Sequence, residues 1–380
     1  MKKTLRAFDV ETSIINNGDP YHPDNRLVQV GFYDGTEYVT FYKDEIDVER
    51  IKELLNQSIL VGANLKFDLA WMERIGIDTR FLTVYDTQLA EFLISNQTHP
   101  FPSLDGMAEK YLDAHKIDVI KNNYWLVGID TWFIPEDELT VYLKEDLRLT
   151  YEVFRKQAQI LQDSNKWALF KLNCLDLLVL NNMEWHGIPF DKEQSLISGE
   201  ELSGRIEEIR SDIVRYSNCP SFNCASGDHL SCLLYGGTIV HEYRVPVGFF
   251  KTGARIGQPR NKIHRMEYVQ ERLIEPLKGS ALKKEGYWST DEQTLLSLRP
   301  RTKELKQLVS NILELSKLEK LQSTYYFGIP KLIEEKGWQS STLHGKFNQC
   351  VARTGRLSAS EPNQQNFDPR LKELCRSEYE

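Results

Sequence analysis

The sequence predicts an α/β domain with a mixed sheet and flanking helices, followed by a largely helical region. Within residues 1–165, short β-rich segments alternate with amphipathic helical segments, an order that is typical of α/β domains. After residue 166, long segments with apolar residues at helical spacing predominate. The chain has 380 residues, of which 41% are hydrophobic and 27% are charged, so it is long enough for two or three globular domains. We therefore predict one domain over 1–165 and a second region over 166–380.

The first domain is predicted to contain five strands: Thr4–Glu11, Arg26–Tyr33, Thr36–Tyr42, Ser58–Gly62 and Val84–Tyr85. The dipeptide Asp34-Gly35 between the second and third strands is a hairpin turn signal. Helices are predicted at Asp47–Asn56, Leu65–Gly76, Thr87–Ser95 and Glu136–Leu161. The last of these follows Pro135, a residue that favours the start of a helix.

The second region is predicted to be mostly helical, with helices at Leu169–Glu184, Ser198–Tyr216, Thr290–Leu298 and Arg301–Tyr326. Two β-rich segments, Thr238–Val247 and Lys262–Glu271, predict a hairpin around the polar tip Lys251–Pro259. From Trp338 onward the sequence becomes strand-like and rich in Gly, Ser and Asn.

Composition excludes some protein classes and favours others. No apolar run approaches the roughly 18 residues that a membrane span needs, and no apolar segment of signal-peptide length follows the first lysines. The six cysteines form no C-x-x-C pair, which favours free thiols in a reducing compartment. We therefore expect a protein of the cytoplasm that is neither secreted nor bound to a membrane.

The charge is distributed unevenly along the chain. Residues 1–165 contain 28 acidic and 17 basic side chains, whereas the remainder contains 27 acidic and 30 basic side chains. An acidic domain followed by a mildly basic region suits a metal-dependent nuclease joined to a module that binds DNA. The alternative is that the asymmetry serves only solubility.

Two carboxylates stand at the end of the first predicted strand. Asp9 and Glu11 are two residues apart and therefore point to the same face of the sheet, while Val10 points to the other. Neighbouring carboxylates repel one another unless cations neutralise them, and hard oxygen ligands suit Mg²⁺ or Mn²⁺. The same Asp-x-Glu pattern in Asp47-Val48-Glu49 opens a helix, where acidic residues favour the helix dipole, and is interpreted as structural.

Two further segments carry acidic residues in suggestive positions. Asp68 lies in the segment Asn64–Asp68, where a buried strand passes into a helix, and this places it at the edge of the sheet. Tyr142 and Asp146 are four residues apart on the long helix and so share one of its faces. Taken alone, such a helical pair is more often a half-buried tyrosine beside a solvated aspartate.

The three segments in this order resemble the DEDD exonuclease superfamily in its tyrosine variant, whose members have a ribonuclease-H-like fold. The resemblance implies that Asp9, Glu11, Asp68 and Asp146 hold two divalent metal ions, Mg²⁺ or Mn²⁺, and that Tyr142 positions the attacking water. It also implies that Asn64 and Phe67 seat the terminal nucleotide, although a core position for Phe67 is an equal alternative. Asp86, which follows the last strand, is expected to be structural or to support the metal ligands.

The second region resembles the family A DNA polymerases. The resemblance rests on Met183–Ile188, Gly286–Glu292, His344–Gln349, Thr354–Ser358 and Pro362–Asn366. It implies that these stretches belong to the thumb and first palm strands, that Arg356 reaches the minor groove at the primer end, and that Asn363, Gln365 and Asn366 contact the substrate. Gln364 and Ala359 depart mildly from the family's usual Leu and Ser.

A basic stretch from Arg244 to Arg265 contains six basic residues and no acidic one. Lys251, Arg255 and Arg260 fall at the predicted hairpin tip, where they are placed to contact DNA phosphates. The alternative, which stays open, is a basic loop that is only solvated and contacts no DNA.

The aspartate motifs with which family A polymerases hold their nucleotidyl-transfer metals, similar to D-Y-S-x-I-E and H-D-E, do not occur in the 380 residues. The sequence therefore predicts a proofreading 3′→5′ exonuclease joined to the amino-terminal part of a polymerase domain, truncated before the catalytic aspartate. It is expected to bind a single-stranded DNA 3′ end and a primer–template duplex, and not to synthesise DNA alone. Two alternatives stay open: a DNA-binding subunit of a split polymerase completed by a separate chain with the rest of the palm and fingers, and a free-standing exonuclease that trims RNA.

Overall fold

A computed structural model of the chain describes residues 3–376, so the last residues of the predicted second region, 377–380, lie outside it. Packing divides the chain into two compact units. One consists of the chain up to Lys192 together with the chain from Ile329 onward, and the other is Glu193–Gly328. Among the described residues, no helix is both long and apolar enough to span a bilayer.

The first unit is built on a five-stranded mixed sheet in the order β3-β2-β1-β4-β5. The strands are β1 Thr4–Thr12, β2 Leu27–Tyr33, β3 Tyr38–Tyr42, β4 Ser58–Gly62 and β5 Thr83–Asp86. The central strand β1 pairs antiparallel with β2 and parallel with β4, and β4 pairs parallel with β5. This arrangement confirms the predicted α/β domain with a mixed sheet.

Between these strands and after them, the described chain forms the helices α1 Val48–Asn56, α2 Leu65–Arg74, α3 Thr87–Ile94, α4 Leu104–Leu112, α5 Val119–Asn123 and α6 Glu136–Asp163. The long helix α6 packs on β1 and β2. Gly31 of β2 permits this close approach, because a Cβ there would lie 2.7 Å from Leu147 and 2.8 Å from Leu143 of α6. The close packing brings the side chains of α6 to the end of β1, where Asp9 and Glu11 lie.

The sheet core extends beyond the predicted domain boundary at 165. That boundary falls in the short turn between α6 and α7 Trp167–His186, which is followed by the two-residue strand β6 Ile188–Pro189. Phe170 and Leu177 of α7 are buried in the same cluster as Trp71 of α2. Burial of these apolar residues joins α7 to the first unit, so packing divides the chain later than the predicted boundary. The division by function into 1–165 and 166–380 stays a prediction.

The second unit contains helices and one long hairpin: α8 Lys192–Val214, α9 Gly227–Tyr235, β7 Gly237–Phe249, β8 Pro259–Gln270, α10 Glu292–Ser297 and α11 Lys303–Lys320. Its core is formed by apolar side chains of α8, α9, α10 and α11, among them Ile209, Leu234, Leu295 and Ile312. A π-helical turn, Leu321–Tyr326, continues α11. The strands of the predicted hairpin pair from Gly237 opposite Gln270 to Phe249 opposite Pro259.

The chain then returns to the first unit through α12 Gly328–Lys336, β9 Thr342–Leu343, β10 Lys346–Asn348, β11 Ser358–Ser360 and α13 Pro369–Lys372. Strand β9 pairs with β6, and β10 pairs with β11. The segment around β10 is fixed by the Lys66 ammonium, which donates to the Phe347 carbonyl at 2.5 Å, and by Glu184, which accepts from the Phe347 amide at 2.6 Å. The His344 ring stacks on Tyr21 with centroids 3.9 Å apart. These contacts hold β10 against the start of α2.

Candidate metal centre

Asp9 and Glu11 lie near the end of the central strand β1. Asp9 stands opposite Gly31 and Glu11 opposite Gln29 of β2, and the register shifts directly after Glu11. The alternation of β1 points both carboxylates to the same side, while Val10 between them is buried in the core on the other side. Asp9 is partly buried and Glu11 is 7% exposed, so both carboxylates stand in a site with little water.

Helix α6 supplies a third carboxylate and the tyrosine. Asp146 and Tyr142 are one helical turn apart, as their spacing predicted, and both are buried, unlike the solvated aspartate that such a helical pair more often has. One carboxylate oxygen from each of Asp9, Glu11 and Asp146 lies within 4.8 Å of the others. The predicted site residues of β1 and α6, which are more than 130 positions apart in the chain, therefore meet in one place.

Asp68 joins the same site from the first turn of α2. It is 2% exposed, and its Oδ1 accepts a hydrogen bond from the Val10 amide at 3.1 Å. After burial, the negative charge of Asp9 is the main influence that raises the pKa of Asp68. Asp68 thus adjoins Asp9 while lying outside the tighter group of three.

The carboxylates stand too close together in too little water for all of them to ionise without a cation. Burial, and then the charge of Asp146, raises the pKa of Asp9 to about 7. Burial, and then the charge of Asp9, raises the pKa of Glu11 well above its ordinary value. Among the described residues the buried Oδ1 of Asp146 has no hydrogen-bond partner. Clustered carboxylate oxygens with an unsatisfied acceptor are a donor set that fits hard divalent cations such as Mg²⁺ and Mn²⁺.

Tyr142 is held rigidly beside these carboxylates. Its ring makes an edge-to-face contact with Trp125, with centroids 5.6 Å apart. Burial, and then the charge of Asp146, raises the pKa of Tyr142 above its ordinary value. The phenol therefore stays protonated at neutral pH and can donate or accept a hydrogen bond without serving as a base.

Lys116 is a site residue that the sequence reasoning missed. It lies in the loop between α4 and α5, and its Nζ is 2.5 Å from Asp146 Oδ2 and 5.2 Å from the Tyr142 ring centroid. Burial is the largest single influence and lowers the pKa of Lys116, but the charge and hydrogen bond of Asp146 and the charges of Tyr142 and Asp9 together outweigh it, so that the pKa is raised. A single lysine in a loop carries no pattern of spacing, so only the fold reveals its position.

Asn64 and Phe67, predicted to seat a terminal nucleotide, line a cavity of about 260 Å³ at the start of α2. Lys346 and Asn348 of β10 line the same cavity. Asn64 has φ 65° and makes no side-chain capping bond to α2. Phe67 packs partly against the sheet core and partly lines the cavity, so the two alternatives considered for it are compatible.

Asp86 has a structural position. Its carboxylate accepts the Leu65 amide at 2.7 Å and the Leu89 amide at 2.9 Å, and it thereby caps α3 and fixes the start of α2. Of the two roles expected for Asp86, these contacts correspond to the structural one. By holding α2, Asp86 also helps to place Asp68.

The residues predicted to contact duplex DNA lie on exposed turns. Arg356 is in the connection between β10 and β11, and Asn363, Gln365 and Asn366 follow β11; all four are exposed. In the second unit, Lys251, Arg255 and Arg260 are exposed at the tip of the β7–β8 hairpin. Asn363 is the N-cap residue of the short 3-10 turn Gln364–Asn366, which contains Gln365 and Asn366, and the contacts of all four residues with DNA stay a prediction.

Two family models match the chain. Residues 2–162 match the model described as 3'-5' exonuclease, and residues 251–378 match the model described as DNA polymerase family A. The first match contains all five predicted catalytic residues, and the second contains Arg356, Asn363, Gln365 and Asn366.

Several relatives are named DNA polymerase I. The protein of Rhizobium leguminosarum is 28% identical over 333 residues, which cover 85% of this chain and 28% of that protein. The Bacillus subtilis protein is 27% identical over 76% of this chain and 27% of its own length. The Aquifex aeolicus protein is 24% identical, with 100% of this chain and 58% of that protein covered. The chain thus spans less than a third of the first two relatives.

A solved structure has a similar fold. It is described as the POL domain of Pol1 from M. smegmatis in complex with a DNA primer-template and dNTP. The TM-score is 0.68 at 16% identity, over 98% of this chain and 55% of that one. At this identity the likeness bears on the fold alone.

Proposed function

Since this chain joins a 3′→5′ exonuclease domain to part of a family A DNA polymerase region, we propose that it removes nucleotides from DNA 3′ ends in the proofreading step of replication. The observation that carries the proposal is the convergence of Asp9, Glu11 and Asp146 within 4.8 Å, with Asp68 and Tyr142 beside them. Carboxylates grouped in this way are suited to phosphodiester hydrolysis with two divalent cations.

The four carboxylates would hold two Mg²⁺ or Mn²⁺ ions. When bound, such ions supply an activated water and stabilise the leaving 3′-oxygen. The protein contributes rigidity, because β1, α2 and α6 fix the four side chains before the substrate arrives. The protonated Tyr142 hydroxyl orients the attacking water by a hydrogen bond.

The cavity at the start of α2 is the proposed seat of the terminal nucleotide. Phe67 offers an apolar ring for the base, and the Asn64 carboxamide offers donors and acceptors. Lys346, from the strand that packs against α2, also lines the cavity; its ammonium lies 3.2 Å from Glu361 and would have to leave this ion pair to bind a phosphate. The volume of about 260 Å³ suits a single nucleotide better than a duplex.

Duplex DNA would be held by the exposed residues of the family A region. Arg356, Asn363, Gln365 and Asn366 are proposed to contact the primer–template, and the basic hairpin tip to contact its phosphates. The exposed arginines and lysines support this proposal. The six cysteines, all free thiols, support an intracellular location in the cytoplasm.

A second candidate is a DNA-binding subunit that a separate chain completes. It rests on the match of residues 251–378 to the DNA polymerase family A model. A chain with the rest of the palm and fingers would then restore synthesis. The match of residues 251–378 to the polymerase family speaks against an enzyme that only trims RNA.

The test is hydrolysis of a single-stranded DNA oligonucleotide labelled at its 5′ end. We expect shortening by one nucleotide at a time with Mg²⁺ or Mn²⁺ and no shortening with EDTA. A parallel RNA oligonucleotide measures the preference for DNA. Internal cuts, or an intact strand with every divalent metal, would overturn the proposal.

A further inference from the structure

The loop that carries Lys116 is fixed on both sides of this residue. The Lys116 amide donates to Asp105 Oδ1 of α4 at 2.8 Å. The next side chain, Ile117, packs against the apolar cluster that contains Ile120, Leu139 and Tyr142. The backbone is thus anchored to α4 and to α6, and the lysine side chain is directed into the carboxylate site.

The Lys116 ammonium acts on Asp9, Glu11 and Asp146 together. Its Nζ lies 2.5 Å from Asp146 Oδ2, and its side chain is only 28% exposed. The positive charge also acts favourably on Asp9 and Glu11. An ion pair at such low exposure fixes the position of Asp146 far more firmly than a surface pair would.

We infer that Lys116 is a positioning residue of the metal site, which holds the Asp146 carboxylate in the metal-free protein and yields it to an incoming divalent cation. The inference rests on the proposed function. A cation shared by Asp9, Glu11 and Asp146 must sit roughly 2.1 Å from their oxygens, within a group that spans 4.8 Å. There it would repel an ammonium that stays 2.5 Å from Asp146 Oδ2. Because the loop backbone is anchored, the displacement falls on the flexible lysine side chain.

Metal affinity distinguishes this role from a purely structural one. If Lys116 competes with the cation for Asp146, its removal should tighten metal binding in the absence of DNA. Lys116→Met keeps the aliphatic stem and removes the charge. Lys121→Met is the matched control, because Lys121 lies five residues further along and is exposed on α5. Lys116→Arg retains a positive charge and should bind metal much like the unaltered protein.

The experiment is calorimetric titration of the full chain with Mn²⁺. We expect Lys116→Met to bind Mn²⁺ about tenfold more tightly than the unaltered protein, and Lys121→Met to bind equally well. In an Asp146→Asn background the tightening should largely disappear, since the contested carboxylate is gone. Should Lys116→Met fail to fold, as judged by circular dichroism, Lys116→Gln takes its place.

Three results would overturn the inference. If the unaltered chain binds Mn²⁺ and Lys116→Met binds it equally or more weakly, the inference fails and the proposed function stands. If Lys116→Met tightens Mn²⁺ binding equally in the Asp146→Asn background, Lys116 acts only through its long-range positive charge. The inference that the cation displaces Lys116 from Asp146 would then be wrong. If the unaltered chain binds no Mn²⁺, the proposed function fails and the inference fails with it.

Discussion

In the exonuclease domain the residues proposed for catalysis come from β1, α2 and α6 and converge in a largely buried site. In the family A region the residues proposed to bind duplex DNA lie on exposed turns. The difference follows from the chemistry that each must perform. Catalysis requires charges fixed in a dry site, whereas binding to a phosphate backbone requires cations that water and DNA can reach. Substitutions should therefore have large effects in the first region and small, salt-dependent effects in the second.

The largest expected effect is on hydrolysis. Asp9→Ala and Asp146→Ala should each reduce exonuclease activity by several orders of magnitude, since each removes a metal ligand. Duplex binding should stay unchanged. Glu49→Ala is the matched control, because it belongs to the other Asp-x-Glu pattern, where Asp47 caps α1 by accepting the Arg50 amide at 3.0 Å. Full exonuclease activity in both aspartate variants would contradict the assignment of Asp9 and Asp146 as metal ligands.

Tyr142→Phe should have an intermediate effect. The ring keeps its contact with Trp125, but the attacking water loses one hydrogen bond. We expect the hydrolysis rate to fall roughly 10- to 100-fold, with single-turnover kinetics as the measurement. A loss as complete as that of Asp146→Ala would show that Tyr142 does more than position water.

Arg356→Ala should affect the other region alone. We expect primer–template binding to weaken by about fivefold, which corresponds to about 1 kcal/mol, and single-strand hydrolysis to continue at its usual rate. Binding of the unaltered protein should itself weaken as salt rises. Arg215→Ala, at the residue that follows α8, is the control, because this exposed arginine already pairs with Asp212. Equal losses in both arginine variants would point to general charge rather than to a contact made by Arg356.

The last expected effect concerns the stability of the protein without metal. The raised pKa of Asp9, about 7, means that the folded protein binds a proton more tightly than the unfolded chain does. In EDTA, the free energy of unfolding should therefore fall as pH rises from about 4 to about 7, by on the order of 1 kcal/mol per pH unit. Mg²⁺ should reduce this dependence of the free energy of unfolding on pH. Urea denaturation at several pH values, with EDTA and with Mg²⁺, is the measurement. A stability that rises with pH across this window would be the contrary result.

Local patterns in the sequence predicted much of the site. The period of two in β1 placed Asp9 and Glu11 on one face, and the period of 3.6 in α6 placed Tyr142 and Asp146 together. Lys116 had no such pattern, because its partner Asp146 lies 30 positions away on another element. The sequence likewise did not indicate the role of Gly31, since that role depends on how closely α6 approaches β2.

The fold was predicted with similar limits. The long helices and the sheet strands were found because each presents several apolar residues at regular spacing. The helices α4, α5, α9 and α12 were missed, because α5 has only five residues and the other three contain a glycine, which weakens a helical pattern. Packing divides the chain after Lys192 rather than at 165, because α7 follows a turn at 164–166 and yet is buried against α2, while the predicted division by function at 165 stays a prediction.

One assay compares the two regions directly. A 5′-labelled primer with a mismatched 3′ end, annealed to a template, is incubated with the chain and Mg²⁺, with and without all four deoxynucleoside triphosphates. The account predicts a ladder of primers shortened by single nucleotides in both mixtures and no product longer than the primer. Primers that stay intact would contradict the exonuclease assignment, and template-directed longer products would show that the chain holds polymerase carboxylates after all.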